Sequence, residues 1–166
     1  MSHAAAVITV SDRSAEGERP DSAGPAAVSE LLRGGFECRG AIVVPDGADS
    51  VERALRAALS GGARLIVTTG GTGVAPRDET PEGTARVLTR QVPGIAEELR
   101  RLGAAETPGG MLSRGLAGVV DPVAGVTAGA LIVNLPGSPK AVASGLPVLL
   151  AVAGHVIDQL AGGDHS

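Results

Sequence analysis

The chain has 166 residues and a formal net charge of −4, a size that suits one domain with a sizeable buried core. Only Phe36 is aromatic although 43% of the residues are hydrophobic, so the core has to be built from Ala, Val, Leu and Ile. The acidic balance and the lack of any Lys/Arg run argue against a nucleic-acid-binding surface. Cys38 is the only cysteine, which excludes an intramolecular disulfide and a cysteine-based metal cluster.

The sequence shows no pattern typical of secretion or membrane insertion. Residues 1–4 contain no basic segment that leads into a long apolar run, so we expect no signal peptide. No uninterrupted apolar stretch reaches the roughly 18–20 residues of a membrane span. A cytoplasmic location is therefore the expectation.

The first half of the chain alternates between apolar, β-branched runs and helical patterns. The predicted elements are, in chain order, a strand at 4–10, a polar loop at 11–20, a helix at 26–32, a strand at 36–44, a helix at 51–59 and a strand at 63–69. Ser22 is predicted to cap the first helix, which ends at Gly34-Gly35. Asp49 or Ser50 is predicted to cap the second helix.

The second half is predicted to contain more helix. The predicted elements are a helix from Thr80 to about Arg90, a helix at 94–102 opened by Pro93, a helical turn at 111–116, strands at 119–126 and 130–134, and a helix at 140–160. Pro122 indicates an edge or a bulge in its strand, and Pro147 and Gly154 are expected to interrupt the last helix. Alternating strands and helices predict a single α/β domain over 1–166, with a mainly parallel sheet.

Four of the predicted strands lead into loops with notable polar residues. These loops are Ser11-Asp12-Arg13, Pro45-Asp46-Gly47, 69–78 and 134–140. If the strands are parallel, all four loops lie at one rim, which is where open α/β sheets bind ligands. The convergence of these loops is the main reason to expect a site there.

The loop that contains Gly70, Gly71, Thr72 and Gly73 is the richest of the four. Glycine allows positive φ and close backbone approach, so successive N–H groups can face an anion, and the hydroxyls of Thr69 and Thr72 add donors. The alternative is a plain turn between strand and helix. The loop is not a Walker A motif, because no Gly-Lys-Ser/Thr follows. Nor is it a dinucleotide-binding motif, since Pro76 stands where the third glycine is expected.

Two carboxylates, Asp46 and Asp78, are candidates for a Mg²⁺ site. Mg²⁺ usually takes one or two carboxylates together with phosphate oxygens of a ligand. The alternative for Asp46 is an ordinary Pro-Asp-Gly turn. The alternatives for Asp78 are a surface ion pair with Arg77 and a favourable charge at a helix N-terminus.

The remaining candidates are weaker. Ser11, Asp12 and Arg13 offer a hydroxyl, a carboxylate and a guanidinium for a ligand, but they also suit a simple Asx-type turn with a solvated arginine. In the 135–140 loop, Lys140 could meet a phosphate, although two prolines there also suit a rigid connection. His155 is interpreted as a packed core or interface residue.

Six tracts of the sequence occur in the order found in one known family. They are Ser11-Asp12-Arg13; Asp21-Ser22-Ala23-Gly24; Pro45-Asp46; 68–73 followed by Arg77-Asp78 and Thr80-Pro81; Leu112-Ser113-Arg114; and 135–140. From about Val7 to Leu160 the chain resembles the MoaB/Mog family of molybdenum-cofactor biosynthesis, which includes molybdopterin adenylyltransferases.

The resemblance implies a three-layer αβα sandwich that assembles as a homotrimer. It implies Mg²⁺-dependent transfer of adenylate from ATP to molybdopterin with release of pyrophosphate, and a downstream protein that inserts molybdate. By analogy Asp78 and Asp46 are the catalytic carboxylates and the metal ligands. The residues expected to bind the substrates are Ser11, Asp12, Arg13, Thr69, Gly70, Gly71, Thr72, Gly73, Thr80, Ser113, Gly137, Ser138 and Lys140.

The resemblance leaves a second function open. The sequence passes from Pro139-Lys140 directly into its last helix, as in the short MoaB-type branch, some of whose members are inactive paralogues. A molybdopterin-binding carrier or scaffold without catalysis is therefore the alternative. A relative of the nucleotide-hydrolysing domains that share the fold ranks last.

Overall fold

A single sheet of six strands runs through residues 2–163, the part of the chain that the computed structural model describes. The strands are β1 (Ala5–Val10), β2 (Ala41–Val44), β3 (Leu65–Thr69), β4 (Arg90–Gln91), β5 (Ala117–Val120) and β6 (Ala130–Leu135). Their order in the sheet is β2-β1-β3-β6-β5-β4. The pairs β2–β1, β1–β3 and β3–β6 are parallel, whereas β5 and β4 are antiparallel to their neighbours. The prediction of a mainly parallel α/β sheet is confirmed.

Helices cover both faces of the sheet. They are α1 (Asp12–Ala15), α2 (Ala23–Arg33), α3 (Ala48–Ser60), α4 (Thr80–Ala85), α5 (Pro93–Glu106) and α6 (Pro139–Leu160), with a 3₁₀ helix at Pro108–Leu112. Buried residues of α2, α5 and α6 belong to one hydrophobic core, and those of α3 belong to the core on the other face. The result is three layers, with two apolar cores divided by the sheet.

The strand register explains why there are two cores. Val7, Val67 and Val133 stand side by side across β1, β3 and β6 and face α2, α5 and α6. Ile66 and Ile132, one residue earlier in their strands, face α3. Strands buried on both faces read as continuous apolar runs, which is why the sequence predicts them well.

The first half of the chain differs from the prediction at three places. Residues 36–40 are not part of a continuous strand: Glu37 makes only an isolated bridge with Ala4, and Gly40, at φ 153°, precedes the short β2. The predicted polar loop at 11–20 contains α1. The cap of α3 is Gly47, at φ 111°, and neither Asp49 nor Ser50. Glycine tolerates this positive φ better than other residues do. With Gly47 as its cap, the helix begins at Ala48, before the position that Asp49 or Ser50 would give as caps.

The second half differs mainly in the bounds of its elements. The helix that begins at Thr80 ends at Ala85, because the chain then turns to form β4 against β5. The predicted strand at 119–126 ends at Val120, and Pro122 lies in the turn that follows. The helix after Pro93 runs on to Glu106, and the predicted turn at 111–116 is the 3₁₀ helix at Pro108–Leu112.

Helix α6 is continuous, contrary to the predicted interruptions. Pro147 lies inside the helix and is exposed, so its missing N–H and the carbonyl it leaves unbonded fall on the solvent side. By length and composition alone, the helix is also long and apolar enough to cross a membrane. Its apolar residues Leu146, Leu149 and Ile157 are buried in the core beside the sheet. His155 is exposed and contacts Gln159, so it is not a core residue.

Candidate active site

The loops after β1, β2, β3 and β6 meet at one rim of the sheet, as their parallel directions require. The N–H of Ser11 donates to the Val44 carbonyl at 3.0 Å and thereby joins the ends of β1 and β2. The N–H of Gly70 donates to the Leu135 carbonyl at 3.0 Å and joins the ends of β3 and β6. The predicted convergence of four loops is present in the fold.

The glycine loop turns sharply where β3 ends. Gly70 and Gly71 have φ values of 94° and 65°, in the left-handed region that favours glycine. A Cβ at Gly70 would lie 2.3 Å from the Val10 carbonyl oxygen, and one at Gly71 would lie 2.3 Å from Thr80 Oγ1. Thr80 closes the turn, since its hydroxyl donates to the Gly70 carbonyl at 2.9 Å and its N–H to the Gly71 carbonyl at 3.0 Å. Two glycines are therefore needed here for conformation and for space.

The N–H groups that follow this turn have no protein acceptor. Within residues 2–163, the N–H groups of Gly71, Thr72 and Gly73 donate to no carbonyl and to no side chain. Unpaired main-chain N–H groups in succession at a glycine turn form a concavity that suits an anion. The sequence prediction for this loop rested on the same property.

Asp46 is held by a reciprocal pair of hydrogen bonds with Asp12. The Asp12 N–H donates to Asp46 Oδ2 at 2.8 Å, and the Asp46 N–H donates to Asp12 Oδ1 at 3.0 Å. Arg77 holds the pair from outside, with Nε and Nη2 each 3.0 Å from a carboxylate oxygen of Asp12 and Nη2 2.9 Å from the Asp46 carbonyl. The Arg77–Asp78 ion pair considered from the sequence is not formed; Asp12 is the partner.

The two carboxyls of this pair are shifted in opposite directions. Hydrogen bonds from Arg77 hold the pKa of Asp12 below its usual value. Desolvation raises the pKa of Asp46, and repulsion from Asp12 and Asp78 acts in the same direction. The hydrogen bond from the Asp12 N–H and the charge of Arg77 oppose that rise. Asp46 is thus a carboxylate to which a further positive charge would be favourable.

Asp78 lies against the glycine loop. Its Oδ2 accepts a hydrogen bond from the Ala75 N–H at 3.0 Å. A Cβ at Gly73 would lie 2.8 Å from that oxygen, so a larger residue at this position would displace the carboxylate. The other carboxylate oxygen, Oδ1, accepts no hydrogen bond within residues 2–163, and the same is true of Asp46 Oδ1.

Asp46 and Asp78 line the same cleft, and each has one carboxylate oxygen that accepts no hydrogen bond within residues 2–163. No group of three or more His, Cys, Asp or Glu side chains in residues 2–163 could hold a metal ion. A site that depends on protein ligands alone is therefore not indicated. Mg²⁺ binds through one or two carboxylates plus water and substrate phosphates, so Asp46 and Asp78 remain the candidate carboxylates for such a site.

Two clefts open beside these carboxylates: Asp78 lines both, and Asp46 lines the first. The first, of about 220 Å³, lies beside β1 and the start of α2; we call it the polar cleft, and its wall includes Ser11, Ser14, Arg19, Asp21 and Asp46. The second, of about 430 Å³, lies between the glycine loop, the 3₁₀ helix and the start of α6; we call it the large cleft. Both clefts share Gly71, Asp78 and Gly137.

Most of the residues predicted to bind substrates line these clefts. The polar cleft contains Ser11, Asp46, Thr69, Gly71, Asp78 and Gly137. The large cleft contains Gly70, Gly71, Thr72, Gly73, Asp78, Ser113, Gly137, Ser138 and Lys140. Three predicted residues line neither cleft: Asp12 is bound to Arg77, Arg13 points to solvent, and Thr80 is buried beneath the glycine loop.

Several residues at the rim were not predicted from the sequence. Asp21 lines the polar cleft, where its Oδ2 accepts from the Thr9 hydroxyl at 2.7 Å and its Oδ1 from the Gly24 N–H at 2.9 Å. Arg114 binds the glycine loop through main-chain carbonyls. Both residues belong to tracts shared with the family and could have been singled out from them. The contacts of Arg114 depend on residues more than thirty positions away and leave no local pattern.

Comparison with known proteins places this geometry in a family. Residues 6–155 match the family model described as a probable molybdopterin binding domain. This chain belongs to that family. Within it, the chain is 42% identical to the molybdopterin biosynthesis Mog protein from Mycobacterium ulcerans, with a TM-score of 0.84 over 98% of this chain and 99% of that one. The resemblance to the MoaB/Mog family is therefore confirmed.

Two further relatives show what the family includes. A molybdenum cofactor biosynthesis bifunctional protein from Synechococcus elongatus is 39% identical over 97% of this chain and 48% of its own length. A molybdopterin adenylyltransferase from Pyrococcus furiosus is 36% identical over 91% of this chain and 87% of its own length. The chain thus spans about half the length of the bifunctional relatives that it matches.

Proposed function

We propose that this protein is a molybdopterin adenylyltransferase, which transfers adenylate from ATP to molybdopterin and releases pyrophosphate in a Mg²⁺-dependent reaction. Relatives of similar length carry that name, among them the one from Pyrococcus furiosus. The observation that carries the proposal is the pair of clefts that share Gly71 and Asp78. A transfer between two anionic substrates needs two pockets that meet at the reacting phosphorus.

We assign the polar cleft to the nucleotide and the large cleft to the pterin. The polar cleft is bordered by three carboxylates, Asp21, Asp46 and Asp78, and by one basic side chain, Arg19, so a cation that accompanies the triphosphate would offset the remaining repulsion. The large cleft combines apolar surface from Leu112, Pro136 and Ala141 with the glycine-loop N–H groups and Lys140. That combination suits a flat ring with a phosphate attached.

In the proposed reaction a phosphate oxygen of molybdopterin forms a bond to the α-phosphorus of ATP. The bond from that phosphorus to the oxygen bridging to the β-phosphate breaks, and pyrophosphate leaves with the electron pair. No protein nucleophile takes part. Asp46 and Asp78 would hold Mg²⁺, which supplies charge neutralisation on the ATP phosphates when bound.

The other residues position the reactants. The N–H groups of Gly71, Thr72 and Gly73 would bind the pterin phosphate and aim its oxygen at the α-phosphorus. Thr80 keeps those groups in place from below through its bonds to Gly70 and Gly71. Catalysis of this kind comes from fixed geometry and local charge, which suits a protein whose overall charge is negative.

The test is pyrophosphate release by purified protein given molybdopterin, ATP and Mg²⁺, with Asp78→Asn in parallel. We expect the substitution to reduce turnover by about 100-fold or more, because it removes a charge aimed at the metal and phosphates. Molybdopterin binding should change little, because Asn retains an oxygen for the Ala75 N–H. Asp158→Asn, on the exposed side of α6, is the matched control and should behave as wild type.

Either failure is informative. Full turnover by Asp78→Asn would remove Asp78 from the mechanism. Molybdopterin binding without pyrophosphate release by the wild type would replace the enzyme with a non-catalytic carrier or scaffold.

We propose four further properties of this protein together with the reaction. They are a single domain over 1–166, a homotrimer, a cytoplasmic location where ATP is plentiful, and a downstream protein that receives the adenylylated product and inserts molybdate.

A further inference from the structure

Arg114 lies across the glycine loop and binds it at three points. Its N–H donates to the Thr72 carbonyl at 2.8 Å, and its Nε donates to the Gly73 carbonyl at 2.7 Å. Its Nη2 donates to the carbonyl of Asp78. One residue thus restrains the loop on both sides of the segment 74–77.

That segment has few other restraints. Residues 74–77 are all exposed, and the side chain of Val74 is 69% exposed. Two hydrogen bonds between Ala75 and Asp78 close the turn on itself, but they do not fix it to the rest of the protein. Arg77 reaches outward to Asp12, on the side of the polar cleft. Arg114 is the restraint on the side of the large cleft.

The guanidinium is itself oriented by Glu82 in the first turn of α4. Both Nη atoms of Arg114 contact the Glu82 carboxylate, and the hydrogen bond from Arg114 lowers the pKa of Glu82. Glu82 therefore stays ionised at neutral pH and keeps the fork of N–H groups directed at the loop. Lysine could replace the charge but not the fork, because it carries a single ammonium on a flexible stem.

We propose that Arg114 is a positioning residue for the transfer reaction: it fixes the glycine loop so that Asp78 and the loop N–H groups point at the reacting phosphates. It touches neither substrate and acts through the three carbonyls. The kinetic part of this inference rests on the proposed adenylyltransferase function, whereas the structural part does not.

The experiment compares Arg114→Ala, Arg114→Lys and Glu82→Gln with wild type by hydrogen exchange and by steady-state kinetics. Arg86→Ala is the matched control. Arg86 lies at the C-terminal end of α4, pairs with Asp49 and Glu52 of α3 and makes no contact with the glycine loop. In Arg114→Ala the hydrogen-bonded amides of the loop, those of Ala75, Asp78 and Thr80, should exchange roughly tenfold faster, while those of β3 stay protected. Arg114→Lys should recover part of the protection, and Glu82→Gln should lose less than Arg114→Ala.

In turnover, Arg114→Ala should lower kcat by roughly 10- to 100-fold, because small misplacements of reacting groups are costly. The KM values for ATP and molybdopterin should stay within about threefold, as expected when binding is unchanged and only transition-state positioning is lost. Arg114→Lys should lie between Arg114→Ala and wild type. Should the Ala variant fail to fold, the same comparison is made with Arg114→Lys.

Two results would overturn the inference. Loop exchange at the wild-type rate in the Arg114 variants would show that other contacts fix the loop. A raised KM with unchanged kcat would make Arg114 a substrate-binding group instead. If wild-type protein shows no turnover, the proposed function fails while the exchange measurement still decides whether Arg114 orders the loop.

Discussion

At the scale of single residues, Arg77 controls the charge around Asp46. It neutralises Asp12 through two hydrogen bonds and lies near enough to Asp46 to lower the pKa of that carboxyl. Desolvation and the charges of Asp12 and Asp78 work against it and leave the pKa of Asp46 raised. A cation would bind Asp46 only in its ionised form, so in the proposed reaction protons and Mg²⁺ would compete for it.

This balance predicts the effect of Arg77→Gln on the pH profile. The acid limb of kcat/KM should reflect protonation of Asp46 and lie above the pH expected of an ordinary aspartate. Removing Arg77 removes a charge that lowers this pKa, so the limb should move to higher pH. The shift should be less than about one pH unit, because Arg77 is largely exposed and its charge is screened. Pyrophosphate release measured across a pH series would show it.

The same variant has a linked effect on stability. The pKa of Asp12 is lowered by folding, so its pairing stabilises the protein above the unfolded-state pKa and is lost as pH falls through the folded value. Arg77→Gln should therefore destabilise the fold at neutral pH more than in acid. For the acid limb, the control is Arg86→Gln, which removes an exposed arginine from two carboxylates, Asp49 and Glu52, that line neither cleft. An unmoved acid limb in Arg77→Gln would contradict the role given to Arg77.

At the scale of elements, burial decides what the sequence can predict. The strands β1, β3 and β6 are buried on both faces, and their apolar runs predict them closely. By contrast β4 has two exposed residues, Arg90 and Gln91, which pair with β5 and carry no periodic signal. This strand forms only because it pairs with β5, almost thirty residues later, so the residues around it do not predict it.

Helix α3 shows the same limit at its N-terminus. Its first N–H, at Ala48, donates to Glu79 Oε2 at 2.9 Å, so a side chain from the loop after β3 supplies the capping acceptor that the N-cap residue Gly47 lacks. Glu79→Ala leaves that N–H without its partner and removes a negative charge from a helix N-terminus. We expect the free energy of unfolding to fall by about 1 kcal/mol, measured by urea denaturation.

Two variants make this prediction specific. Glu79→Gln keeps an acceptor oxygen and should lose less stability than Glu79→Ala. Glu97→Ala, at an exposed position of α5, should leave stability nearly unchanged. Equal losses in the two alanine variants would show that Glu79 does not act as the cap.

At the scale of the whole molecule, the sequence predicts the place of the candidate site better than its internal contacts. Parallel strands must bring their carboxyl ends to one rim, so the four loops could be placed together in advance. Which residue of one loop binds which residue of another is a matter of tertiary structure. The pairs Asp12–Arg77 and Arg114–Gly73 join residues 65 and 41 positions apart, and nothing in either local sequence specifies the partner.

We also propose that the whole molecule assembles as a homotrimer. Several large apolar side chains remain at least half exposed on the described surface, including Ile42 on the edge strand β2 and Val126 in the turn after β5. Burial of such groups between copies would be favourable. The number three comes from the family resemblance: for a homotrimer, sedimentation equilibrium should give three times the 16.3 kDa mass of the chain, and the melting temperature should rise with protein concentration. A 16.3 kDa species at micromolar concentration, with a concentration-independent melting temperature, would exclude the trimer and require each chain to carry out the reaction alone.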